Sequence, residues 1–66
     1  MLAINFGLFL RTIKSDTEIS IWVDGTKDCI FNSKAYKLYD NEEIKKRTII
    51  YLMYHFDGIS IKLKKE

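Results

Sequence analysis

Two side chains in this 66-residue chain have the chemistry of a nucleophile or a proton carrier: Cys29 and His55, each the single residue of its kind. A general acid or base needs a second group to orient it. The acid nearest His55 in sequence is Asp57, which belongs to an Asp-Gly turn. His55 is therefore expected at the surface, at a strand end. Cys29 would need a local base or a cationic setting to become a thiolate. Beside Lys27 and Asp28 it reads instead as a small core hydrophobe. Asp24 and Asp57 each precede a glycine, and turn geometry accounts for both. The chain has no Gly-rich phosphate loop, no metal-ligand spacing and no nucleophile elbow. These residues predict a non-enzyme without a cofactor or a metal.

The side chains suited to binding are Trp22, Tyr51, Met53, His55, Lys62 and Lys64. Their positions depend on the strands that carry them. Thr48 to Lys64, TIIYLMYHFDGISIKLK, is the sharpest element in the chain. Asp57-Gly58 suits a type I′ turn, which needs positive φ at both central residues. On that turn Phe56 faces Ile59, Tyr54 faces Ile61 and Leu52 faces Leu63, all on one face. Ile49, Tyr51, Met53 and His55 then share the other face with Ser60, Lys62 and Lys64. A one-residue slip would set the lysines against the apolar face, so the register is well specified. Positive φ is costly for a residue with a Cβ, so Gly58→Val is expected to destabilise by roughly 1 kcal/mol or more.

Glu18 to Val23 alternates as well, with Ile19, Ile21 and Val23 opposed to Glu18, Ser20 and Trp22. Asp24-Gly25 turns this strand into a short one over Lys27 to Phe31. A two-residue loop sets Ile21 against Asp28; a three-residue loop sets Ile21 against Cys29 and Ile19 against Phe31. The second buries more apolar surface and is preferred, with Gly25 in or beside a bulge.

The segment Leu2 to Ile13 fits two patterns. As a strand, Leu2, Ile4, Phe6, Leu8 and Leu10 alternate with the residues between them. As a helix, Leu2, Phe6, Phe9, Leu10 and Ile13 form one stripe, with Asn5 placed to cap it. A sheet with a bare apolar face needs a cover, which favours a helix over Phe6 to Lys14. The same segment lacks the basic start and the cleavage site of a signal peptide and is too short to span a bilayer. Between the hairpins, Asn32 or Ser33 is placed to cap a turn through Ala35, Tyr36 and Leu38. Asp40 with Glu43 has capping-box spacing and opens a short helix, Asn41 to Lys46. The predicted fold is α+β: one domain, 1–66, in the order α-β-β-α-β-β. A four-stranded antiparallel sheet is built from the two hairpins, with the N-terminal helix packed on it and a short connecting helix.

The net charge is +2 and unevenly placed. Residues 1–33 carry three basic and four acidic groups, a net of −1; residues 34–66 carry eight and five, a net of +3. Acidic residues interrupt the basic half, which argues against a nucleic-acid groove. A lone cysteine allows no internal disulfide, and a reducing cytoplasm fits best. A core this small gains from oligomerisation.

In layout, INFGLFLRTIKSDTEISIWVDG, a short strand, a turn ending in YDNEEIKKR and the hairpin IIYLMYHFDGISIKL resemble a broad class of short proteins. These are carried by phages and mobile elements of low-GC Gram-positive bacteria. The resemblance covers most of the chain and implies a helix, two β-hairpins and an intervening short helix. Some such proteins act against bacterial defence systems, which implies a host protein as partner and the cytoplasm of a bacterial host as location. No catalytic or ligand-binding position carries over from it.

Three classes of function follow. The first is a protein that binds and inhibits or modifies a host protein. The second is an oligomer enclosing a small anion such as a signalling nucleotide, with lysines for charge and Trp22 or Tyr51 as a stacking plane. The third, a nucleic-acid binder, is the least supported. One helix covers only one face of such a sheet, so the face with Trp22, Tyr51 and Met53 is expected to be a binding surface or a homodimer interface. The alternative is that the middle helix or the N-terminus folds over it.

Overall fold

The computed structural model describes residues 3–65; Leu2, counted in both readings of the first segment, lies outside them. The elements in order are β1 (Ile4–Asn5), α1 (Phe6–Leu10), β2 (Glu18–Val23), β3 (Cys29–Lys34), a 3₁₀ turn (Ala35–Leu38), α2 (Glu42–Lys45), β4 (Thr48–His55) and β5 (Gly58–Leu63). The α+β class is as expected. The four-stranded antiparallel sheet is not: the strands form one mixed five-stranded sheet in the order β1-β4-β5-β2-β3.

The reason lies between the two hairpins. β2 and β5 are the strands that alternate most cleanly, and they lie side by side and parallel at the centre. Ile19 pairs with Ile59, Ile21 with Ile61 and Val23 with Leu63. Setting these residues together builds one apolar face in which Ile19, Ile21, Ile59, Ile61 and Leu63 are all buried. Each hairpin then sends its less regular strand outward, β3 to one edge and β4 toward the other.

The first segment is both strand and helix. Ile4 and Asn5 pair with Ile49 and Thr48, adding a fifth strand. Asn5 then caps α1, its side chain accepting from the Leu8 N–H at 3.0 Å. The helix stops at Leu10, short of the expected Lys14. The Thr12 hydroxyl donates to the Phe9 carbonyl at 2.7 Å, alongside the Thr12 N–H, and so competes for the group that would extend the helix. A five-residue helix has no stability of its own. Burial of Phe6, Phe9 and Leu10 holds it on the sheet, at about 1.5–3 kcal/mol for each large side chain removed from water.

The connection between the hairpins packs on the same face. Ala35 and Leu38 of the 3₁₀ turn are buried in the core, and Ile44 of α2 packs against it. Neither Asn32 nor Ser33 caps that turn; both are drawn into β3. The cap of α2 is Asn41, one residue after the expected Asp40, and its side chain accepts from the Ile44 N–H at 3.1 Å.

β3 pairs two residues further along than the three-residue loop predicts, and three further than the two-residue loop. Ile21 faces Phe31, Trp22 faces Cys29, and Ile30 is the extra residue of a bulge between them. This register leaves charged Lys27 and Asp28 in the loop and keeps Phe31 against the core. Gly25 turns the chain at φ +83°, a region that suits glycine.

Gly58 departs from expectation. The second hairpin closes with His55 facing Gly58, so its two-residue loop is Phe56-Asp57. Gly58 is the first residue of β5 and its φ is not positive. Glycine is needed there for space, because a Cβ would lie 2.5 Å from the Glu18 carbonyl oxygen of β2. The facing pairs move by two residues, to Tyr54 with Ile59 and Leu52 with Ile61, which preserves the face of each.

The two Asp-Gly glycines therefore respond differently to asparagine, which tolerates positive φ but carries a Cβ. Gly25→Asn is expected to cost less than about 1 kcal/mol, whereas Gly58→Asn overpacks a fixed backbone contact and costs about 1–3 kcal/mol. Urea midpoints of the two variants measure this. Equal midpoints would place Gly58 in an ordinary turn.

Candidate functional site: the open face of the sheet

All the helical elements cover one face of the sheet, and among the described residues no element covers the other. Strand register sets the pattern on this open face. One row runs Tyr51, Lys62, Trp22, Cys29 across β4, β5, β2 and β3; the next runs Met53, Ser60, Ser20, Asn32. Alternation thus brings Trp22, Tyr51, Met53, His55 and Lys62 onto one surface. Tyr51 is 45% exposed and Met53 44%, and Trp22 and Lys62 are half-buried.

Lys62 stands in register between the two aromatic residues, its Nζ 6.0 Å from the centre of the Tyr51 ring. That is the outer limit of a cation–π contact. The Tyr51 hydroxyl lies 3.7 Å from the Met53 sulfur, and Ser20 Oγ lies 3.3 Å from Asn32 Oδ1. Lys64 lies one residue past β5, exposed, its backbone N–H donating to the Thr48 carbonyl. Its own carbonyl accepts from Arg47 Nη2 at 3.0 Å, so it is the terminus of the strand more than a part of the patch.

Two sequence expectations are corrected here. Ile49 does not belong to the open face: it opposes Leu63 and is fully buried. The ladder shifts between Ile49 and Tyr51, and the extra residue, Ile50, reverses the phase so that Ile49 and Leu52 both turn to the core side. Cys29 is exposed on an edge strand instead of buried in the core. It faces Trp22, and its Sγ lies 3.1 Å from the Phe31 carbonyl.

His55 is exposed, as expected, and its Nε2 lies 2.7 Å from Ser60 Oγ across the hairpin. A hydroxyl beside an imidazole is half of a nucleophilic arrangement, which also needs a group orienting the ring and donors for the developing oxyanion. Among the described residues no carboxylate bonds to this ring, and the pair lies on a strand surface open to water. It serves as a polar cross-strand contact. No set of three or more His, Cys, Asp or Glu side chains among the described residues is placed to share a metal ion. No helix among them is long and apolar enough to cross a membrane.

The concave surfaces lie elsewhere. A groove of about 510 Å³ on the helical side is lined by Leu8, Arg11, Tyr39, Glu42, Lys45 and Lys46, among others. Lys45 is engaged there, donating to the Tyr39 carbonyl at 2.7 Å and to Glu42 at 3.2 Å. A second hollow, about 430 Å³, lies at the hairpin end beside Ile13, Tyr54 and Phe56. Sequence alternation could not find the groove, because its residues come from three separate segments.

The division between the faces is testable by truncation. Ile49→Ala removes a fully buried side chain and is expected to cost about 2–5 kcal/mol. Tyr51→Ala, two residues away on the open face, is expected to cost less than about 1 kcal/mol. Chemical denaturation of both variants reads the difference, and a reversed order would exchange their faces.

The chain matches no protein-family model, no curated protein and no solved structure.

Proposed function

We propose that this chain is a non-enzymatic binding protein whose docking surface is the open sheet face and whose partner is another protein. The observation that carries the reading is the uncovered row of Tyr51, Lys62 and Trp22 with Met53 beside it. Tyrosine, tryptophan and methionine are enriched at the centres of protein interfaces, and tryptophan and tyrosine dominate their energetics. The surface is that of a sheet and not a pocket, which suits a macromolecule better than a small ligand, since small ligands bind in concavities. Lys62, in register between the two aromatic residues, supplies a positive charge that favours a partner with acidic groups around an apolar centre. The layout resemblance to phage and mobile-element proteins supports a host protein in this role, in a bacterial cytoplasm, with a component of antiviral defence as the leading candidate.

The groove of about 510 Å³ favours a second reading, the capture of a small anion. Its volume is in the ligand-binding range of roughly 300–1,000 Å³, and Arg11 and Lys46 add charge beside Leu8 and Tyr39. This site is distinct from the Trp22 and Tyr51 surface.

Affinity capture from a nuclease-treated lysate of a low-GC Gram-positive bacterium separates the readings. Wild type is expected to retain a protein that the Trp22→Ala, Tyr51→Ala variant loses by about tenfold or more, as for interface hot spots. Capture unaffected by the double substitution would remove the open face from the account. A rise in melting temperature with a nucleotide panel, abolished by Arg11→Ala, would instead support the groove.

A further inference from the structure

Of the large apolar side chains exposed on this protein, four fall on one short segment: Tyr51 at 45%, Met53 at 44%, Tyr54 at 66% and Phe56, fully exposed at the turn. Tyr51, Met53 and Tyr54 belong to β4, next to the edge of the sheet, and Phe56 to the turn that follows it. β1 pairs only with Thr48 and Ile49 of β4, so among the described residues Ile50 to His55 has no strand on its outer side. Natural edge strands are protected from other chains by charge, by proline, by brevity or by a cover. Residues 50–56, IYLMYHF, have no proline and no formally charged side chain with His55 neutral. The one bulge in β4 lies at the end already paired with β1.

We infer that this edge is a self-association site, in which β4 pairs antiparallel with β4 of a second copy about a two-fold axis normal to the sheet. A second copy suits this edge because the edge is uncharged and so complementary to itself. The opposite edge, β3, carries Lys34, a charge of the kind that protects an edge strand from pairing. The exposed side chains alternate between faces: Tyr51 and Met53 on the open side, Tyr54 on the helical side. A strand laid in the plane of the sheet covers both sets, which a partner on either face alone would not do. At about 200 Å² for a large side chain, the four residues present on the order of 500 Å² per copy. Two copies together reach the roughly 1,000 Å² expected of a specific interface. The five strands of each copy become one ten-stranded sheet, within the range of natural open sheets. The two open faces lie on the same side, so the Trp22 and Tyr51 surfaces adjoin.

The test is sedimentation equilibrium of the full chain across the micromolar range, together with amide hydrogen exchange. Wild type is expected to be a dimer, with exchange at residues 50–55 slowing as concentration rises. Tyr54→Lys brings like charges together at the interface and is expected to weaken dimerisation by about tenfold or more. Phe56→Lys, at a fully exposed position, does the same if Tyr54→Lys impairs folding. Asn32→Lys on β3 is expected to leave the dimer intact. A wild-type monomer throughout, or a dimer broken by Asn32→Lys and not by Tyr54→Lys, overturns the inference. Tyr54 lies on the opposite side of the sheet from Trp22, so loss of the dimer and loss of open-face binding are scored separately.

Discussion

The parallel pairing of β2 with β5 is the constraint on which the rest of the molecule depends. It sets the Ile19, Ile21, Ile59, Ile61 and Leu63 side chains into one continuous apolar layer. It also fixes how the chain must travel. With β3 at one edge and β4 beyond β5, the link between them has to cross both central strands. That link, the 3₁₀ turn and α2, crosses on the face that α1 also occupies, because the isoleucines are there to be covered. One face of the sheet is thereby sealed, and among the described residues no element covers the other. Even Gly58 follows from this pairing, since β5 begins against the Glu18 carbonyl of its parallel neighbour.

The energetics agree with that division. α1 and α2 are too short to be stable helices in isolation, so their order comes from the side chains they bury. Phe6, Phe9, Leu10 and Leu38 fill the space over the central strands, with Ile44 at the margin. Small domains bury a limited share of their surface and have little stability in reserve. Apolar side chains held in water on the opposite face and on the outer edge of β4 add nothing to this core. They favour association, and the open face and the uncharged edge are where association has most to gain.

Local pattern made much of this legible. The alternation of Glu18 to Val23 gave β2 its bounds, and Asn5 was recognisable as a helix cap from the apolar stripe that follows it. The shared face of Trp22, Tyr51, Met53, His55 and Lys62 followed from period-two spacing once the strands were assumed to adjoin. What local pattern could not supply was the neighbour of each hairpin, because the β2–β5 contact joins residues about forty apart in sequence. The Ile49-Ile50 pair interrupts the alternation without indicating which residue is the bulge, so period-two spacing alone places Ile49 on the wrong face. Asp24-Gly25 and Asp57-Gly58 are identical dipeptides with different outcomes. Gly25 uses its backbone freedom, whereas Gly58 uses its missing Cβ against a strand distant in sequence. The groove beside Leu8 and Tyr39 is likewise a product of tertiary packing.

Among the described residues one sheet face is left open, and Trp22, the single tryptophan, stands on that face. Acrylamide quenching of its fluorescence in the Tyr54→Lys protein, where the β4 edge is blocked, reports on that face directly. Quenching of the folded protein is expected to reach a substantial fraction of that seen for the urea-unfolded chain. Fluorescence protected from quencher to the extent of a core tryptophan would contradict the account, because it would mean that an element of the chain covers this face.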